Sequence, residues 1–167
     1  MKPRIEILPE KKFIGKKVRM SFLNNKTFEL WKSFMPYRKQ ITNNIGPELY
    51  SIEVYEPLYF NKFDPGREFE KWAAIEVTSH CLVPAGLDTF ATFGGLYAVF
   101  LHNGAANEGP KTYQYIFETW LTDSDYLIDD RPHFAIMGEK YEGDSPSSEE
   151  ELWIPVKSKN NFGFHLT

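Results

Sequence analysis

Close to the end of the chain, in Glu149-Glu150-Glu151-Leu152-Trp153-Ile154-Pro155-Val156-Lys157, a carboxylate and an indole stand two residues apart. Successive side chains of a strand point to opposite faces, so Glu151 and Trp153 share one face and Leu152, Ile154 and Val156 the other. An acid beside an aromatic wall suits a flat, apolar, positively charged ligand, because the ring face attracts the cation and the carboxylate neutralises it. The same carboxylate, desolvated among rings, would have a raised pKa and could act as a general acid or base. The spacing identifies no second catalytic group. Tyr55, Tyr97 and Tyr141, carried on strand-like segments, and Trp120, on a helical stripe, are the further aromatics that could line such a hollow.

Other chemistries find little support. His80, His102, His133 and His165 and the single Cys81 show no short metal-ligand spacing, and Gly94-Gly95 lacks the third glycine of a dinucleotide fingerprint. Neither a metal nor a cofactor is expected. A formal net charge of -4 argues against nonspecific nucleic-acid binding, which relies on lysine and arginine to displace counterions from phosphates. The basic group Lys11, Lys12, Lys16, Lys17 and Arg19 is local and reads as a solvated hairpin. No apolar run has the length of a membrane span and the start lacks the apolar core of a secretory leader, so neither membrane nor export is expected. With one cysteine, a reducing, cytoplasmic setting is the expectation.

The elements that would position these groups follow from periodicity. Alternation predicts strands over residues 4–8, 13–22, 50–56 and 72–79, with a helix carrying Phe28, Trp31, Phe34 and Met35 that Pro36 ends or kinks. In the second half, strands are predicted over 96–102, 133–141 and 151–157, and a helix from Thr112 with Tyr113, Ile116, Phe117 and Trp120 on one stripe. Lys26-Thr27-Phe28 and Lys111-Thr112-Tyr113 both open a helix, 85 residues apart, and element order repeats with them. Residues 1–167 therefore read as one domain with an internal repeat, roughly 4–79 and 87–157. The implied fold is α+β: tandem pseudo-symmetric β-α-β-β modules, a largely antiparallel sheet, two helices on one side and a cleft between them. The aromatic share of 16% is high enough to furnish both a core and such a cleft.

Val83-Pro84-Ala85-Gly86, Gly94-Gly95-Leu96-Tyr97-Ala98-Val99-Phe100, Trp120-Leu121, Arg131-Pro132-His133-Phe134 and the Glu150 to Lys157 block together resemble the GyrI-like small-molecule-binding domain. That is the effector domain found behind the DNA-binding part of some AraC-type and MerR-type regulators, and also alone. The resemblance implies a ligand cleft lined by aromatics with acid at its base, and carries the family's cleft carboxylate onto Glu151 and its aromatic onto Trp153. Ala135 stands where the family often has a second glutamate. With the domain-like stretch beginning at Arg4, a stand-alone form is expected, binding drug-like aromatic or cationic compounds and contacting no nucleic acid directly. Two other functions are implied by relatives in the family. One is hydrolysis of cyclopropane-containing compounds, with Glu151 assisting water; the other is inhibition of DNA gyrase through protein binding. A protein partner or a homo-oligomer would convert binding into signal.

Overall fold

Strands form where branched and aromatic residues alternate with polar ones, and the computed structural model, which describes residues 1–160, contains nine of them. His165 lies outside the described residues. In chain order the strands are β1 (Arg4–Leu8), β2 (Lys11–Met20), β3 (Leu49–Val54), β4 (Phe69–Val77), β5 (Asp88–Thr92), β6 (Gly95–Asn103), β7 (Tyr126–Ile128), β8 (His133–Met137) and β9 (Glu149–Ser158). All pairings are antiparallel and the order is β1-β6-β9-β8-β3-β4-β2-β5, with β7 pairing the C-terminal end of β9 off this path. From the central β8–β3 pair outward the order is β8-β9-β6-β1 in one direction and β3-β4-β2-β5 in the other. Corresponding strands begin 84 residues apart: Arg4 and Asp88, Lys11 and Gly95, Leu49 and His133. The expected α+β architecture of two pseudo-symmetric modules is the observed one. Short β5 and β7 were not predicted, since runs of five and three residues carry too little alternation to register.

The first helix, α1 (Thr27–Phe34), starts where Asn25 Oδ1 accepts the Thr27 N–H at 3.0 Å, and it passes into a 3-10 turn, Met35–Gln40, at Pro36, which has no N–H to continue the ladder. Leu30 and Phe34 bury against Ile14, Ala73, Ile75 and Val77. The second helical segment begins at Gly109, earlier than expected, because Pro110 is tolerated in a first turn. It runs through α2 (Gly109–Tyr115), a π-helical turn Ile116–Trp120 and a last turn α3 (Leu121–Asp123). Its end is held by Lys159, whose ammonium donates to the carbonyls of Leu121, Thr122 and Ser124. Ile116 packs on Ala98, Phe100, Leu152, Ile154 and Val156. Both helices therefore cover the same face of the sheet, and on β9 that face is the aliphatic one.

The opposite face holds an aromatic core of Phe13, Tyr50, Trp72, Tyr97, Phe134 and Trp153 with Ile52 and Val99. Phe13 on β2 and Phe134 on β8 lie three strands apart, roughly 14 Å in a flat sheet, yet their ring centroids are 5.9 Å apart. The sheet therefore curls around these rings. The basic residues expected in a hairpin instead lie along β2: Lys11 pairs with Glu76 at 3.0 Å, and Lys16 and Lys17 cover the rings of Tyr37 and Trp72. Among the described residues no helix is long and apolar enough to cross a membrane.

Candidate ligand-binding cleft

Because Tyr50 and Ile52 turn toward the aromatic core, the alternate residues of β3, Ser51 and Glu53, must turn toward the helices. Glu53 is only 7% exposed. Its Oε1 accepts a hydrogen bond from Ser51 Oγ at 3.2 Å and lies 3.4 Å from Lys71 Nζ, whereas Oε2 has no hydrogen-bond partner. A buried acceptor left unmatched is costly, and native proteins seldom keep one without a use. Burial pushes the Glu53 carboxyl above the usual range, with Lys71 and Ser51 pulling it back.

On β9 the same parity turns Glu150, beside Leu152, to the helix face. Burial raises its carboxyl too, opposed by His102 and reinforced by the charge of Glu53. Lys71, which lies 3.4 Å from Glu53, also reaches Glu150 with its charge, so the cleft floor carries two acids and one ammonium.

Aromatic rings form the walls. Tyr113 and Phe117, one turn apart on the second helical segment, lie parallel at 6.3 Å, and Phe60, from the loop after β3, stacks on Phe117 at 5.0 Å. Tyr55 stands edge-on to His133 at 4.9 Å. The β3–β8 register sets His133 opposite Glu53, and burial lowers the imidazole to about 3, so it is neutral at physiological pH. Burial also drives the hydroxyls of Tyr55 and Tyr113 well above their usual range, with Glu53 adding to it, so both remain neutral donors. The helical wall is tied to the sheet through His102: Nδ1 accepts from the Thr112 hydroxyl at 2.7 Å and Nε2–H donates to the Ala105 carbonyl at 3.0 Å. Beyond Phe60 a cavity of about 630 Å³ opens, lined in part by Tyr55, Tyr59, Phe60, Tyr126, Leu127 and His133, within the range that houses drug-sized ligands.

The residues expected from the sequence are divided by the sheet. Tyr55 stands in the cleft, and half-buried Tyr141 lies within the field of Glu150. Glu151 and Trp153 do not. They face away from the helices, with Glu151 ion-paired to Arg4 and Trp153 in the aromatic core, 7% exposed. Tyr97 is in that core as well, fully buried, its hydroxyl donating to the Pro132 carbonyl at 2.7 Å. Trp120 packs edge-on against Phe100 and parallel to Tyr126 beneath its own helix. The division has a simple cause. Alternation pairs Glu151 with Trp153 faithfully, but the helices settle on the aliphatic face, so the acid presented to the cleft from β9 is Glu150. Glu53 was not singled out, although Tyr50-Ser51-Ile52-Glu53-Val54 signals it, as a charged residue recurring on the polar side of an otherwise apolar central strand.

Comparison with known proteins bears on this arrangement. The family model described as GyrI-like small molecule binding domain matches residues 1–157. Transcriptional regulator BrlR of Pseudomonas aeruginosa is 28% identical over 130 residues, which cover 77% of this chain and 45% of BrlR, so the chain spans less than half of that relative's length. The structure of SAV2435 bound to tetraphenylphosphonium has a TM-score of 0.66 at 14% identity, covering 99% of this chain and all of that one. The EcmrR C-terminal domain gives 0.68 at 15% identity, covering 94% of this chain and 98% of its own. At these identities the two structures establish the fold.

Proposed function

Since the chain belongs to the GyrI-like small molecule binding domain family, we propose that its ligand site is the interhelical cleft and that it takes flat, apolar, drug-like compounds, monocations above all. The observation that carries this is the buried Glu53, whose Oε2 is unmatched beside rings able to sandwich a ligand. Most of the affinity would come from apolar area, with the ring–cation contact adding about 0.5–2 kcal/mol. A protein partner or a second copy of the chain, in the cytoplasm, would turn occupancy into a signal. The test is a fluorescence titration with a panel of matched cationic and neutral aromatic compounds. Saturable binding that favours the cations supports the reading, and indifference to charge sinks it.

The pH dependence follows with a definite sign. A cation favours ionised Glu53, whose carboxyl in the free protein titrates above its usual range because of burial. Affinity for a monocation is therefore expected to rise as pH increases through that raised value and to level off above it, with a proton released on binding inside the window. A neutral analogue should show no such slope. Isothermal titration in buffers of different ionisation enthalpy measures the released proton.

A hydrolase is the second reading, favoured by one observation: Glu53 and the neutral imidazole of His133 are register partners on one face of the β3–β8 ladder, a pair of groups of the kind that can hold and polarise a water. Consumption of a compound on chromatography after incubation, stopped in Glu53→Gln, would establish it. Saturable binding without product would leave a sensor.

A further inference from the structure

The acidic end of the cleft and its cavity are parted by aromatic side chains, Tyr55, Phe60 and His133, all three on the cavity's lining. Glu53, Lys71 and Glu150 lie at one end, and the cavity of about 630 Å³ lies at the other, without any of these three among its lining residues. Phe60 lines the cavity and touches Tyr55 and His133, and His133 is the register partner of Glu53. The Phe60 ring continues the parallel series Tyr113–Phe117–Phe60, with interplanar angles of 13° and 17°, and its other ring neighbours are His133 at 5.5 Å, Tyr59 at 5.0 Å and Tyr55 at 4.8 Å. A flat ligand reaching for Glu53 from the cavity would need the place against Phe117 that Phe60 takes.

The loop is built so that this place can be given up. Tyr59, 1% exposed with its hydroxyl on the Arg67 carbonyl, anchors it, while the side chains of Leu58 and Asn61 are exposed and would lose little by moving. Leu58 has φ of 64°, the one non-glycine residue with positive φ among those described. A branched side chain is strained there, and strain of this kind persists only where surrounding contacts impose it. The turn that presents Phe60 is thus imposed by the contacts around it, the buried Tyr59 and the Phe60 stack among them, and not by the backbone preference of Leu58.

We propose that Phe60 is an internal surrogate for the ligand's aromatic ring. It stacks on Phe117 and yields that position to an entering planar ring, so the cleft selects fused, flat ring systems over bulky non-planar ones. The proposal rests on the cleft being the ligand site. Displacing Phe60 costs its stack, and a flat ligand recovers that contact; a non-planar cation pays the cost and recovers less.

The test measures dissociation constants of neutral, planar Nile red, planar monocationic ethidium and non-planar tetraphenylphosphonium for the full chain, Phe60→Ala and Glu53→Gln. Phe60→Ala is expected to tighten both planar probes by about three- to tenfold, the scale of one lost ring–ring competition, and tetraphenylphosphonium by at least as much. Phe60→Leu, which keeps volume without a stackable face, should fall between. Weaker or unchanged binding of both planar probes in Phe60→Ala would make the ring a wall and overturn the proposal, as would failure of any probe to bind either form. Tightening in Phe60→Ala with ethidium indifferent to Glu53→Gln would uphold the surrogate and remove the acid from the site.

Discussion

Glu53→Gln is expected to weaken binding of a monocationic aromatic compound by about 10- to 150-fold, the equivalent of about 1.5–3 kcal/mol for a hydrogen bond or contact to a charged group. A neutral compound of the same shape should change by no more than about twofold. Glutamine preserves shape and keeps a hydrogen-bonding oxygen toward Ser51, so the loss reports charge alone. Stability should move the other way. Burial raises the folded-state pKa of Glu53, and a group with a raised carboxyl pKa contributes stability at low pH that is lost as pH rises through the folded value. At neutral pH the glutamine variant should melt at the same temperature or higher. A residue that costs stability and confers affinity is the usual mark of a site. A Tm lowered by several degrees with binding of the cation intact would assign Glu53 to the scaffold instead.

The second large effect concerns Trp153. Its indole touches Tyr97 at a centroid distance of 5.9 Å and belongs to the cluster of Phe13, Tyr50 and Phe134 that the sheet curls around. Trp153→Ala should therefore cost about 3–5 kcal/mol, a large share of the roughly 5–15 kcal/mol that separates folded from unfolded chains of this size. Chemical denaturation followed by far-UV circular dichroism would register it as a fall in midpoint. Glu151→Gln, two residues away, removes a partner from an ion pair whose side chains are 48% and 32% exposed, and should cost below about 1 kcal/mol. If Trp153→Ala proved as stable as the parent while losing ligand affinity, the indole would be a cleft residue and the core described above would be misdrawn.

Much of the fold can be recovered from residue order. Ile5 and Ile7 alternating with charged residues mark β1, Ile14, Val18 and Met20 trace one face of β2, and Tyr113, Ile116 and Phe117 mark the second helical stripe. Each is a local property, because side-chain direction is set by backbone period within a few residues. The motif block from Glu150 to Lys157 likewise carries the family in its residue types.

Face assignment is different in kind. Alternation sorts β9 into Glu151 with Trp153 and Glu150 with Leu152, but nothing within its ten residues says which set the helices will cover. That choice is made when Ile116 and Phe34 pack on the aliphatic surface formed by Ala98, Ile154 and Val156 on one side and Ala73 and Ile75 on the other. Curling then leaves the bulky rings to fill the opposite face. Glu53, Glu150 and Lys71 come together from strands up to about a hundred residues apart, and Phe60 arrives from a loop without periodicity. The sequence by itself determined most of the elements, their order and the two faces of each strand; the tertiary structure alone decided which face the helices cover, since burial is a property of the assembled layers and not of any one of them.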